Sequence, residues 1–186
     1  MTESDGRRQR GQDNRARIVK AMLELVEAGD VAPVAEDVAA KADVGLRTVF
    51  RHFKDMDSLY GEMSAVVTAE VRALVERPFT ATSWRGEVSE LVDRRAVLFE
   101  RIAPFRRASE RLRYKSAFVA EEHVRLVMTL RDILRQVIPM DMGAVNFEAL
   151  DLFLSYETWS RLRRDQNLTV DEAKDVIRRS ILGITG

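Results

Sequence analysis

The stretch GLRTVFRHF, Gly45 to Phe53, sets Arg47, Arg51 and His52 among apolar, aromatic and β-branched residues, and Lys54 follows with no acid between. Hydrogen-bond donors interleaved with apolar groups suit the edges of nucleic-acid bases and the oxygens of phosphates. The plainer possibility is the basic side of an ordinary core helix. Catalysis has far less to work with. The chain has no cysteine, and its two histidines, His52 and His123, lie far apart in sequence. Without a glycine-rich phosphate loop or a serine elbow, no nucleophile and base can be paired and no metal set assembled. The expectation is a protein with no catalytic residue, no metal and no cofactor.

Composition bounds the rest. Of 186 residues 46% are hydrophobic, enough for a proper core, and 30 basic side chains balance 30 acidic ones. A bulk positive field is therefore excluded, and any anionic partner must be met by placed charges. Two stretches are locally positive: Arg7 to Lys20, with Arg7, Arg8, Arg10, Arg15, Arg17 and Lys20 against Asp13 alone, and Gly45 to Lys54. The absence of cysteine is compatible with a reducing compartment. The arginine-bearing start has no apolar run behind it, and no segment approaches the roughly 18 apolar residues of a membrane span. A cytoplasmic protein without membrane contact is expected.

Apolar residues recur at helical spacing almost throughout and never alternate, which predicts an all-α protein. Residues 1–12 are polar and read as a flexible basic arm. A helix follows from Asp13 to Ala28, with Ile18, Val19, Met22, Leu23 and Val26 on one face and Gly29-Asp30 as its stop. Two short segments, PVAEDVAAKA and LRTVFRHF, are separated only by Asp43-Val44-Gly45, and the next helix starts at Asp55, a plausible N-cap. Further helices are expected at 83–103, 104–115 (after Pro104), 117–138, 144–165 and 169–184, the last opened by the capping box Thr169 to Glu172. The helix at 144–165 is apolar on two sides: Phe147, Leu150 and Leu154 on one, and Val145, Ala149, Leu152, Tyr156 and Trp159 on the other. Such a helix must be buried twice, either inside its own subunit or against a second copy. Leu150 and Leu154, with Ile177 and Ile181 of the final helix, are the expected dimer residues.

Two short helices joined by a tight turn can form a helix-turn-helix, whose second helix enters the major groove. Val38 and Ala39 then belong to the first helix, and Asp43 occupies a turn position that needs a left-handed backbone, which Asp tolerates. Val44, Val49 and Phe53 point inward, leaving Leu46, Arg47, Thr48, Phe50, Arg51 and His52 turned partly or wholly outward.

These residues resemble the tetracycline-repressor (TetR) family of bacterial regulators. The family signature is approximately A-G-V-S-x-x-T-[LIV]-Y-x-H-F-x-x-K-x-x-L, and this chain reads ADVGLRTVFRHFKDMDSL from Ala42 to Leu59, matching at Ala42, Val44, Thr48, Val49, His52, Phe53 and Leu59. Four positions depart from it. Asp43 stands for the turn glycine, Gly45 for a capping Ser or Thr, Phe50 for a Tyr whose hydroxyl reaches the DNA backbone, and Met56 for a phosphate-facing Lys. The resemblance implies a DNA-binding set of Gly45, Leu46, Arg47, Thr48, Phe50, Arg51, His52 and Lys54. Arg47 and Arg51 face DNA or form a solvated edge; His52 meets phosphate or is a surface histidine. Phe50 stacks against sugar or packs under the helix. Arg7, Arg8 and Arg10 enter a minor groove or merely solubilise the chain.

The same resemblance implies a DNA-binding domain at 13–60 and, at 61–186, a domain that dimerises and holds a small-molecule effector. Lining candidates on its middle helices are Phe99, Phe105, Tyr114, Phe118, Met128 and Tyr156, any of which can equally be core. His123, in register with Val119, Val127 and Leu130, is a hydrogen-bonded core histidine or a polar anchor for a ligand. The run RRASERLRYK, Arg106 to Lys115, reads as solvated surface unless it faces an anionic ligand. A chain of this kind is expected to act as a homodimeric regulator, a repressor released by its ligand, on a palindromic site in double-stranded DNA. The rival is a helical carrier of small molecules whose degenerate motif no longer meets DNA.

Overall fold

The computed structural model describes residues 3–114 and 116–185, and its described elements are helices. In chain order they are α1 (Glu3–Glu27), α2 (Ala35–Lys41), α3 (Leu46–His52), α4 (Met56–Val75), α5 (Trp84–Leu112), α6 (Ala117–Val137), α7 (Ala144–Phe153), α8 (Tyr156–Ser160) and α9 (Val170–Thr185), with a π-helical turn at Arg161–Asp165. No helix among the described residues is long and apolar enough to cross a membrane.

The chain divides into two units, Met1–Glu70 with Pro104–His123, and Val71–Ala103 with Val124–Gly186. In the first, α1 packs on α2 and α3. Ile18, Met22 and Val26 of α1, Val38 and Ala39 of α2, Val49 and Phe53 around α3, and Leu59 and Met63 of α4 are all buried. Gly29, at φ +102, ends α1 in the left-handed region that glycine enters freely, and the Asp30 N–H turns back to the Leu25 carbonyl at 3.1 Å. Asp55 caps α4, accepting from the Ser58 N–H at 2.9 Å, while the Asp55 N–H donates to Ser58 Oγ at 3.3 Å.

Residues 104–123, expected in the second domain, belong to the first unit. Phe105, Ala108 and Val119 are buried there. Ser116 Oγ donates to Asp57 at 2.8 Å and Ser64 to Glu122 at 3.4 Å, and Gly61 lets the Phe118 ring close on α4: an added Cβ would lie 3.1 Å from it. Burial beside Asp30 and Asp57 pushes the Tyr60 hydroxyl up to about 12, so it stays protonated.

The buried residues of the second unit include Val88, Leu91, Val92, Leu98, Phe99 and Ile102 of α5, Leu130 and Leu134 of α6, Phe147 and Leu150 of α7, Trp159 of α8 and Ala173, Ile177 and Ile181 of α9. Arg95 is 4% exposed among them, its guanidinium donating to the carbonyls of Leu130 at 2.6 Å and Leu154 at 2.7 Å. Desolvation pulls it down to about 10, which leaves it charged at neutral pH. The box at the start of α9 forms as expected, the Thr169 N–H donating to Glu172 at 2.7 Å and the Glu172 N–H to Thr169 Oγ1 at 3.3 Å.

Three expected boundaries move. Residues 3–12 are helical, as the opening of α1: Arg and Gln are good helix formers, and Gly6 and Gly11, at about 1 kcal/mol each, do not stop the helix. Pro104 lies inside α5 rather than starting a new helix; it removes one helical N–H, and the buried Ile102, Phe105 and Ala108 on its flanks keep the helix together. The single helix expected at 144–165 is broken after Phe153. There Ser155 accepts from the Thr158 N–H at 3.1 Å, Ser155 and Thr158 both donate to the Leu152 carbonyl, and Arg95 takes the Leu154 carbonyl. Local side-chain hydrogen bonds thus outcompete the continuing ladder.

Candidate nucleic-acid interface

The candidate element, α3, is assembled from α1 outward. α2 ends at Lys41, and Asp43 takes φ +52, the left-handed conformation that the turn requires. Arg17 of α1 reaches this turn, donating to the carbonyls of Ala42 at 2.6 Å and Asp43 at 3.2 Å. Gly45 is the N-cap of α3 with extended backbone and no side-chain hydrogen bond, so the first turn of α3 lacks the bond that a Ser or Thr would supply.

At the far end of α3, Arg15 donates to the His52 carbonyl at 2.6 Å, pairs with Glu62 at 2.9 Å and lies 4.4 Å from the centre of the Phe53 ring. Two arginines that add to the positive charge of the N-terminal stretch therefore act inside the unit, one at each end of α3. Their register gave a usable signal: Arg15 precedes the buried Ile18 and Val19 by three and four positions, so it flanks the apolar stripe of α1. The side chains of Arg7, Arg8 and Arg10 lie outside the described residues.

Along α3 the side chains sort by face. Val49 and Phe53 are 1% and 2% exposed and anchor the helix. Arg47 and Arg51, four apart, are exposed, and among the described residues no carboxylate pairs with them or with Lys54. Leu46 and Phe50 form an exposed apolar ridge beside them, while Thr48 and His52 are half-buried on the other flank. Phe50 therefore does not pack under the helix. His52 differs from a phosphate-binding cation. Its Nε2 is shielded without a partner, and burial, reinforced by Arg51 and Arg15, lowers the ring below its ordinary 6.5, so it is neutral at pH 7.

The expected effector residues are divided between the two units. Phe105, Tyr114, Phe118 and His123 fall in the first unit, and Phe99, Met128 and Tyr156 in the second. Tyr114 is 78% exposed, whereas Phe99 is buried with its ring edge-on to Tyr156 at 5.6 Å. His123 is half-buried and takes a 2.5 Å hydrogen bond from Arg106 at Nδ1, which places its own proton on Nε2.

The dimer residues need correction. Leu150, Leu154, Ile177 and Ile181 are all under 5% exposed within the single chain, so they already have partners. Helix α7 faces the core with Phe147 and Leu150, and the side left out carries Val145, 82% exposed, and Leu152, 61% exposed. Sequence periodicity found both sides of this helix but could not say which one the subunit uses.

The chain matches no family model and no curated protein. Among solved structures it is similar to a protein of Mesorhizobium loti assigned to the TetR family of transcriptional regulators, at 16% identity and a TM-score of 0.63, over 94% of this chain and 96% of that one. With a 25-residue α1, a turn built on Asp43 and a short, outward-facing α3 in an all-helical chain, this protein has the fold of that TetR-family regulator.

Proposed function

We propose that the chain is a DNA-binding transcriptional regulator that meets a two-fold-symmetric operator as a homodimer, through one α3 from each copy. The observation that carries this reading is the pair Arg47 and Arg51 on the outer face of α3, exposed and without a carboxylate partner among the described residues. Two guanidiniums one helical turn apart, with Thr48 beside them, supply donors for a base edge and for phosphate, and Lys54 adds a charge at the end of the helix. In a dimer the two α3 helices enter successive major grooves about 34 Å apart.

The second copy docks on the outer side of α7, through Val145 and Leu152. A small molecule bound by the C-terminal helices changes the separation of the two α3 helices and releases the DNA, so the regulator represses by occupancy. Support for the effector is the resemblance in sequence.

The test is selection from a random duplex pool with the purified chain at two salt concentrations. An enriched inverted repeat is expected. Arg47→Ala should lose sequence preference at one position, at a cost of about 1–3 kcal/mol, and Arg51→Ala should weaken all duplexes alike. No enrichment at either salt would sink the regulator reading and leave the helical carrier.

A further inference from the structure

The outward surface of α3 is not uniformly cationic. Leu46 is 37% and Phe50 is 49% exposed, and being four apart they form one ridge alongside that of Arg47 and Arg51. Neither belongs to the core, since Val49 and Phe53 take the inward positions. A seven-residue helix thus keeps two large apolar side chains in water next to two cations without carboxylate partners among the described residues.

Two features say what covers this ridge. The adjoining guanidiniums, exposed and without a carboxylate partner among the described residues, suit an occupant with an anionic backbone. The Phe50 ring has no hydrogen-bonding group, so it cannot take a phosphate oxygen; its apolar partner is a sugar, which carries no sequence information, or an apolar group on a base edge. On the edges that bases present in the major groove, the apolar group is the C5-methyl of thymine. We infer that Leu46 and Phe50 are specificity-determining residues that select thymine, each seating a methyl group, beside the base pair or phosphate that Arg47 and Arg51 engage. This rests on the regulator reading above. Geometry adds a spacing: four residues of helix advance about 6 Å, close to two steps of roughly 3.4 Å along a DNA strand, so the selected thymines lie one or two steps apart in each half-site.

The experiment uses the full chain and the duplex recovered by selection, with thymine replaced one position at a time by uracil. Uracil deletes only the methyl group and leaves pairing and the O4 acceptor unchanged. Two positions per half-site are expected at which the replacement weakens binding about fourfold, the value of one buried methyl. Replacing both symmetry-related copies should give roughly the square of that, about 15-fold. Phe50→Ala should abolish the thymine-over-uracil preference at one of these positions and Leu46→Ala at the other, leaving the rest of the site unchanged. If the duplex is bound specifically and no uracil replacement changes affinity, the thymine assignment is overturned while the regulator reading stands. If no duplex is bound specifically, the regulator reading falls and takes the assignment with it. The uracil series is run on the unaltered protein, so it decides the matter even where an α3 variant folds poorly.

Discussion

Replacing Arg15 by Ala separates a structural arginine from a DNA-binding one. Arg15 donates to the part-buried His52 carbonyl at 2.6 Å, pairs with a Glu62 carboxylate at 2.9 Å and lies 4.4 Å from the Phe53 ring centre. A charged donor on a carbonyl contributes about 1.5–3 kcal/mol. The ion pair, with side chains 40% and 46% exposed, adds about 0–1 kcal/mol after solvent screening, and the ring contact about 0.5–1 kcal/mol. These share one guanidinium and do not add, so the expected loss on urea unfolding of the full chain is about 2–3 kcal/mol. Arg15→Lys should recover only part of it, because one ammonium cannot reproduce the fork that reaches carbonyl and carboxylate together. DNA affinity measured against salt supplies the second readout. A side chain held inside the unit meets no phosphate, so the slope of log affinity against log salt should not change. Unchanged stability with a slope shallower by about 0.9, the value of one lost phosphate contact, would refute the structural role.

Gly45→Ser should raise stability by about 0.3 kcal/mol in the same unfolding assay, since the backbone is already extended, nothing lies within 4 Å of the added Cβ, and the hydroxyl can accept an N–H of the first turn. A loss of stability would mean that Gly45 is needed for space or flexibility. For His52 the folded ring is less basic than the unfolded one, so the unfolded chain binds the extra proton and stability falls as pH drops through 6.5 and below. In an NMR titration the His52 ring should therefore have its midpoint below 6.5; a midpoint above it would place the ring in solvent or beside an acid. Leu152→Asp, at a 61% exposed position, should change unfolding stability by no more than about 0.5 kcal/mol yet yield monomers on sedimentation, whereas Leu154→Asp, 2% exposed, should unfold the unit. An unchanged dimer mass for Leu152→Asp moves the interface off α7.

Local signals survived translation into structure. The stop at Gly29, the cap at Asp55, the box at Thr169 and Glu172 and the left-handed Asp43 each depend on residues within a few positions of one another, and each was readable. What could not be read depends on distant partners. The break between α7 and α8 combines the local Ser155–Thr158 cap with the Leu154 carbonyl, held by Arg95 from 59 positions away. A 3.6-residue period shows that α7 has two apolar sides but contains nothing about which helix arrives on which side. Pro104 misled for a related reason: a proline signals a helix boundary by its local cost, and burial of Phe105 and Ala108 beside the deficit overrides it. The inward positions of α3, Val49 and Phe53, were legible, whereas the shielding of His52 needs the fold.

The departures from the family signature acquire a physical reading once α1 is considered. A seven-residue helix is far below the length at which helices hold in water, and Gly45 offers it no side-chain cap. Something else must fix its direction if Arg47 and Arg51 are to present donors at a defined place. Arg17 secures the turn before α3 through the carbonyls of Ala42 and Asp43, and Arg15 secures its end through the carbonyl of His52, one of the acceptors that a helix terminus leaves without an intrahelical donor. Both arginines project from the 25-residue α1, which is anchored by the buried Ile18, Met22 and Val26. Buried Val49 and Phe53 seat α3 and the two arginines of α1 fix its ends, so the side-chain cap missing at Gly45 is not needed to hold it. Leu46 and Phe50 stay on the outer side of the helix beside Arg47 and Arg51.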